Sequence, residues 1–189
     1  GLTACITKNT PPASIYTISP KWNESKVQPH HPQHKSITLR LAPIRASRAL
    51  ASTDILYTDN QYSQNSYVYS RWNDTPIKLL QTFFHVSIEK CGLFKAVVSN
   101  ASTSNSDLIL ESTLLELNHQ LKTDESSEGV FRIRFYLIDN KTRVLISTKE
   151  FVEKVAVTSE NAKGAVEAIN KAVTLVADKL VEWLAGYKL

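Results

Sequence analysis

At 189 residues the chain is long enough to bury roughly 70% of the surface its unfolded form would expose, so one core without disulfide staples is expected. Its apolar fraction of 42% and charged fraction of 21% are those of a globular protein, and no run of about 18 apolar residues is present to span a bilayer. The net charge of +4 invites a nucleic-acid reading, but residues 1–35 hold +3 of it (Lys8, Lys21, Lys26 and Lys35 against Glu24), and a body so nearly neutral argues against that partner.

The chain opens on Leu2-Thr3-Ala4-Cys5, which looks like a bacterial lipobox: small residues before a cysteine permit signal-peptidase cleavage, and the cysteine is lipidated. Each buried lipid methylene contributes about 0.8 kcal/mol, and basic residues add attraction to anionic lipid. Five of the seven prolines fall before residue 35, so residues 1–35 read as a polar tether that cannot offset its own ordering entropy. Residues 36–189 are then the single folded domain. Within the tether, Ile15-Tyr16-Thr17-Ile18 has the apolar content to add a short strand at the domain edge. His30, His31 and His34 form a cluster on a flexible stretch, which lacks the fixed geometry and outer shell that a metal site needs.

Residues 36–44 alternate, with Ile37, Leu39 and Leu41 on one side, and predict a half-buried strand ended by Pro43. Residues 55–57 and 66–72 are rich in aromatic and β-branched side chains and read as a pair of short strands. Thr75 is a good N-cap and Pro76 suits the first helical position. From there Ile77, Leu80, Phe84, Ile88 and Cys91 recur at three- and four-residue spacing, the mark of one helix face, and Gly92 can close it. A strand follows at 94–98. Cys91 on the buried face is an inert thiol, because burial raises its pKa.

After a Ser/Asn/Thr loop, residues 108–121, 130–138 and 144–157 predict an antiparallel meander, with a bulge expected near Lys149-Glu150-Phe151. Phe131, Ile133, Phe135 and Leu137 face the core; Arg132 and Arg134 face water. A final helix is expected over 160–185, capped by Ser159, with Glu160 in its first turn. Its stripe of Ala162, Val166, Ile169, Val173, Val176, Leu180 and Leu184 is expected to pack on the sheet. The fold class is α+β: a mixed, largely antiparallel sheet with two helices on one face, in the order strand-strand-strand-helix-strand-strand-strand-strand-helix.

No Gly-rich phosphate loop, nucleophile elbow or metalloprotease motif occurs, so no catalytic residue, cofactor or metal site is expected and the chain reads as a non-enzyme. A binding role remains. Of Tyr57, Tyr67, Tyr69 and Trp72, Trp72 is expected in the core, while Tyr67, Tyr69 and Arg71 are the candidate partner contacts, since aromatics and Arg are favoured at interfaces.

Taken together, the Leu2-Thr3-Ala4-Cys5 start, the strand into Pro43-Ile44-Arg45, Arg48-Ala49-Leu50 before Ile55-Leu56-Tyr57, Tyr67 through Trp72 with Pro76, and the closing Val181-Glu182-Trp183-Leu184 resemble the ABC-type transport auxiliary lipoproteins (PqiC-like). The resemblance covers most of residues 36–185. It implies a periplasmic body anchored through Cys5 in the outer membrane, where Ile6 is not the aspartate that retains some lipoproteins in the inner one. It also implies a partner, the MCE-domain subunit of a transporter that moves phospholipid or related lipids. Homo-oligomerisation and direct lipid binding stay open. The alternatives are a lipoprotein partner of an outer-membrane β-barrel in lipopolysaccharide assembly, and a soluble lipid carrier.

Overall fold

The computed structural model describes residues 11–19, 34–59 and 62–187; Cys5, His30 and His31 lie outside them. In chain order the elements are β1 (Ser14–Tyr16), β2 (His34–Leu41), β3 (Arg45–Ala46), a 3-10 turn (Arg48–Ala51), β4 (Asp54–Thr58), β5 (Asn65–Trp72), α1 (Pro76–Lys90), β6 (Phe94–Ser99), β7 (Leu108–Leu121), β8 (Ser127–Asp139), β9 (Leu145–Ala156) and α2 (Ala162–Ala185). The class is α+β, as the sequence predicts.

The 14-residue β7 is the spine of a nine-stranded mixed sheet. Along one side β8 pairs antiparallel with its whole length, and β9 pairs antiparallel with β8. Along the other side three short strands lie end to end, all parallel to it: β2 at residues 108–110, β3 at 113–114 and β4 at 119–120. Outside them, β6 joins β2 in parallel, β5 joins β4 antiparallel, and β1 joins β5 in parallel. The long ladders are antiparallel and the short ones mostly parallel.

Both helices cover one face. Thr75 Oγ1 accepts from Lys78 N–H and Pro76 opens α1; Gly92 closes it at φ 68°, a conformation costly for any residue with a Cβ. Phe84 on α1 lies 6.3 Å from Phe131 and 5.6 Å, edge-on, from Phe135; Phe135 continues to Phe151 at 6.0 Å and Phe151 to Trp183 of α2 at 6.4 Å. This aromatic row ties each helix to the meander. Every member of the α2 stripe is buried, so that face packs on the sheet. The approach is close: a Cβ on Gly129 of β8 would stand 2.8 Å from Ala168 Cβ and 3.0 Å from Ile169 N.

The apolar Ile15–Ile18 stretch does join the domain. β1 lies on the outer edge of β5, Ile18 is buried, Ser19 N–H donates to Asn170 Oδ1 at 3.0 Å, and Asn170 Nδ2 donates to Thr17 O at 3.1 Å. His34 starts β2 two residues before the predicted strand. Its ring stacks on Phe94 and its Nε2 lies 3.0 Å from Leu184 O, so it satisfies a carbonyl at the end of α2. It is a core and capping side chain.

Two local expectations are corrected. Residues 149–151 pair regularly with β8; the bulge of β9 falls earlier, at Ile146, between Ser147 opposite Leu137 and Leu145 opposite Ile138, and a second register shift falls between Leu114 and Glu116 in β7. Leu115 is therefore the extra residue, placed where β3 has ended on the edge of β7 and β4 has not begun. The cap of α2 is Asn161, whose Oδ1 accepts from Gly164 N–H at 2.8 Å, and not Ser159. The chain at Ser159 folds so tightly over Gly164 that a Cβ there would sit 1.9 Å from Ser159 O. Glu160 thus lies outside the helix.

Candidate functional site

β5 carries the irregularity that builds the site. Asp54 pairs with Arg71 and Leu56 with Ser66, so Ile55 alone on β4 stands against residues 67–70 of β5. The surplus makes a wide bulge, and a bulge re-aims side chains. Val68 is thrown outward at 84% exposure and Tyr69 at 52%, next to exposed Arg71, while Trp72 returns to the core at 2%. Ile15 on neighbouring β1 pairs with Arg71 and is 50% exposed, which extends the apolar surface across the edge.

Tyr67 turns the other way. Its ring lies 4.9 Å from that of Tyr57, and its hydroxyl is 2.7 Å from His119 Nδ1. His119 is itself placed by two ladders, opposite Tyr57 on β4 and opposite Gly129 on β8. Its Nε2 is 2.7 Å from Ser127 Oγ, and Ser127 Oγ donates to Glu160 Oε1 at 2.6 Å. The proton order follows from the far end. Since the Ser127 hydroxyl hydrogen goes to the carboxylate, His119 must donate from Nε2 to Ser127, which leaves Nδ1 to accept from Tyr67. Four side chains from β5, β7, β8 and the start of the α2 region thus form one directional hydrogen-bond chain beneath the bulge.

Burial holds the His119 pKa below its ordinary value, partly offset by the Glu160 carboxylate 3.8 Å away, so the ring stays neutral. Burial, followed by Glu160 and Tyr57, pushes the Tyr67 phenol up, so it remains a donor. Ser127 is 3% exposed and its hydrogen is committed to Glu160, so its hydroxyl is neither accessible nor free to act as a nucleophile. Burial also raises the Cys91 thiol, whose S–H points to Ile88 O at 2.8 Å. Among the described residues no three His, Cys, Asp or Glu side chains are grouped to hold a metal ion. The arrangement fixes the base of an exposed loop of strand; it is suited to presenting a surface.

Of the three contact candidates read from the sequence, Tyr69 and Arg71 sit on the surface and Tyr67 anchors the bulge from below. Tyr57 is half-buried beside it. Val68, His119, Ser127 and Glu160 were not legible as parts of one site. They come together only through the parallel β4–β7 pairing and the late start of α2, and no local pattern announces either.

The family model for the ABC-type transport auxiliary lipoprotein component matches residues 16–181, and the chain belongs to that family. Among solved structures, the fold is similar to protein XCC0632 from Xanthomonas campestris, with a TM-score of 0.83 at 19% identity, covering 92% of this chain and 95% of that one. A second, of an uncharacterised protein, aligns with a TM-score of 0.68 at 12% identity over 92% of this chain and 99% of the other. At these identities the likeness shows the fold alone. Comparison with curated proteins gives no match.

Proposed function

We propose that this chain is a non-enzymatic periplasmic lipoprotein, held at the outer membrane through Cys5, that serves an MCE-type transporter of phospholipid or related lipids by docking on its MCE subunit. Membership of the transport auxiliary family carries the reading. The β5 bulge supplies a docking surface: Val68 and Tyr69 are exposed, Arg71 flanks them, and the Tyr67–His119 bond fixes the strand beneath. A rigid anchor under an exposed aromatic lowers the ordering cost of binding.

The test is co-purification. Full-length lipidated protein should bring down an MCE subunit from detergent-solubilised envelopes, and Val68→Asp with Tyr69→Ala should abolish the capture without changing the fold. Capture of a β-barrel instead, or of neither, overturns the proposal.

A further inference from the structure

We propose that a polar cleft over the edge of β7, between the ends of β3 and β4, is a binding site for a neutral saccharide. This does not depend on the transporter reading.

The cleft follows from the bulge at Leu115. Before it the buried residues of β7 include Leu108, Leu110 and Leu114; after it they include Leu117 and His119. The change of phase turns Glu116, Asn118 and Gln120 together onto the face opposite His119. At about 3.4 Å per residue these three span about 14 Å. β3 pairs with β7 as far as Leu114 and β4 begins at His119, so among the described residues no strand covers this edge from 115 to 118. The opening is a cavity of about 460 Å³, walled by the 3-10 turn, Thr58 and residues 62–64, a size suited to a small ligand.

Asn118 gives the cleft its binding character. It is 6% exposed, and its Oδ1 is buried with no hydrogen-bond partner. An orphaned buried polar atom costs stability, and this one belongs to a side chain that lines the cavity, where a ligand donor would complete it.

The lining selects the class of ligand. Among the described residues no Lys or Arg lines the cleft, which disfavours an anion. Its carboxylate, Glu116, already accepts from Arg132 Nε at 2.7 Å, which disfavours a cation. Leu50 and Leu115 supply too little aliphatic surface for an acyl chain. The amides of Gln64, Asn118 and Gln120 stand beside the hydroxyls of Ser47 and Thr58. An amide donates and accepts at once, which matches the neighbouring hydroxyls of a sugar ring. Tyr62, 90% exposed at the rim, offers a ring face to the apolar side of that sugar. An extended peptide is less suited, because the bulge breaks the ladder it would have to continue.

Chemical-shift titration of the nitrogen-15-labelled full chain with maltotriose, cellotriose and triacetylchitotriose tests this. One of them should shift the side-chain amide signals of Asn118 and Gln120 saturably, and glucuronate should bind no tighter than glucose. Asn118→Leu removes the orphaned atom, so it should unfold no earlier than the parent while weakening sugar binding on the order of tenfold. A purely structural Asn118 would lower stability instead. Gln120→Ala, outside the core, should weaken binding as well. No saturable shift with any of the three sugars (water alone at Asn118), tighter binding of glucuronate than of glucose, or shifts with tetra-alanine and none with sugar overturns the proposal. So does an Asn118→Leu variant that unfolds earlier than the parent, or either variant binding as tightly as the parent.

Discussion

The Tyr67 hydroxyl lies 2.7 Å from Nδ1 of His119, and the far side of that imidazole is committed to Ser127 at 2.7 Å. Because the Ser127 hydroxyl donates to Glu160, only one neutral tautomer satisfies both bonds, the one protonated at Nε2. Nitrogen-15 spectra of the imidazole at neutral pH should therefore show Nδ1 as the unprotonated nitrogen. Tyr67→Phe leaves that buried acceptor without a donor and should cost about 1–3 kcal/mol in denaturant unfolding, because an orphaned buried group loses its full desolvation cost. A Tyr67→Phe variant as stable as the parent would show that the bond does not hold the bulge.

The same ring sets a pH dependence. Its folded pKa is depressed below the ordinary 6.5 by burial, while in the unfolded chain it titrates normally. The unfolded state thus binds the extra proton first. The contribution is fully present above 6.5 and is lost as pH falls through the lower folded value. Urea midpoints should decline over that window, and His119→Gln should flatten the decline. Further down, Asp124, held low by the Ser126 hydroxyl, and Asp139, held low by the Thr142 N–H, lose their contributions as pH falls below the ordinary 3.8.

Gly129 lies across the β7–β8 ladder from His119 and directly under α2. An added methyl would stand 2.8 Å from Ala168 Cβ, with the Ile169 backbone nitrogen at 3.0 Å, so a flexible side chain cannot simply move aside. Gly129→Ala should cost about 1–3 kcal/mol by forcing the helix off the sheet. Thermal unfolding measures it, and an unchanged midpoint would mean that α2 has room to shift.

Phe84 is the contact through which α1 reaches both Phe131 and Phe135, and it is 3% exposed. Phe84→Ala removes the end of the aromatic row and should cost about 3–5 kcal/mol. A loss below about 1 kcal/mol would mean that the α1 face collapses onto the gap.

Local chemistry made much of this fold legible. Thr75-Pro76 and Gly92 mark α1 because a cap oxygen, a fixed φ and a positive φ are all local requirements. Phe131, Ile133, Phe135 and Leu137 mark β8 because period two survives any neighbour. The parallel placement of β2, β3 and β4 along one edge of β7 was not legible, since that order is set by which strand ends leave β7 unpaired. The start of α2 shows the same limit at one residue. Ser159 and Asn161 are both fair caps by type, and the choice rests on how Ser159 packs over Gly164. That displacement frees Glu160 to reach Ser127, so the last link of the hydrogen-bond chain was hidden for the same reason.

The central claim is that the β5 bulge faces a transporter subunit, and a photo-crosslinking residue at Val68 tests it most directly. In living cells the label should attach to an MCE-domain protein, whereas one at Lys95, exposed on outer strand β6, should not. No adduct at Val68, an adduct to a β-barrel, or equal labelling from both positions would contradict the account.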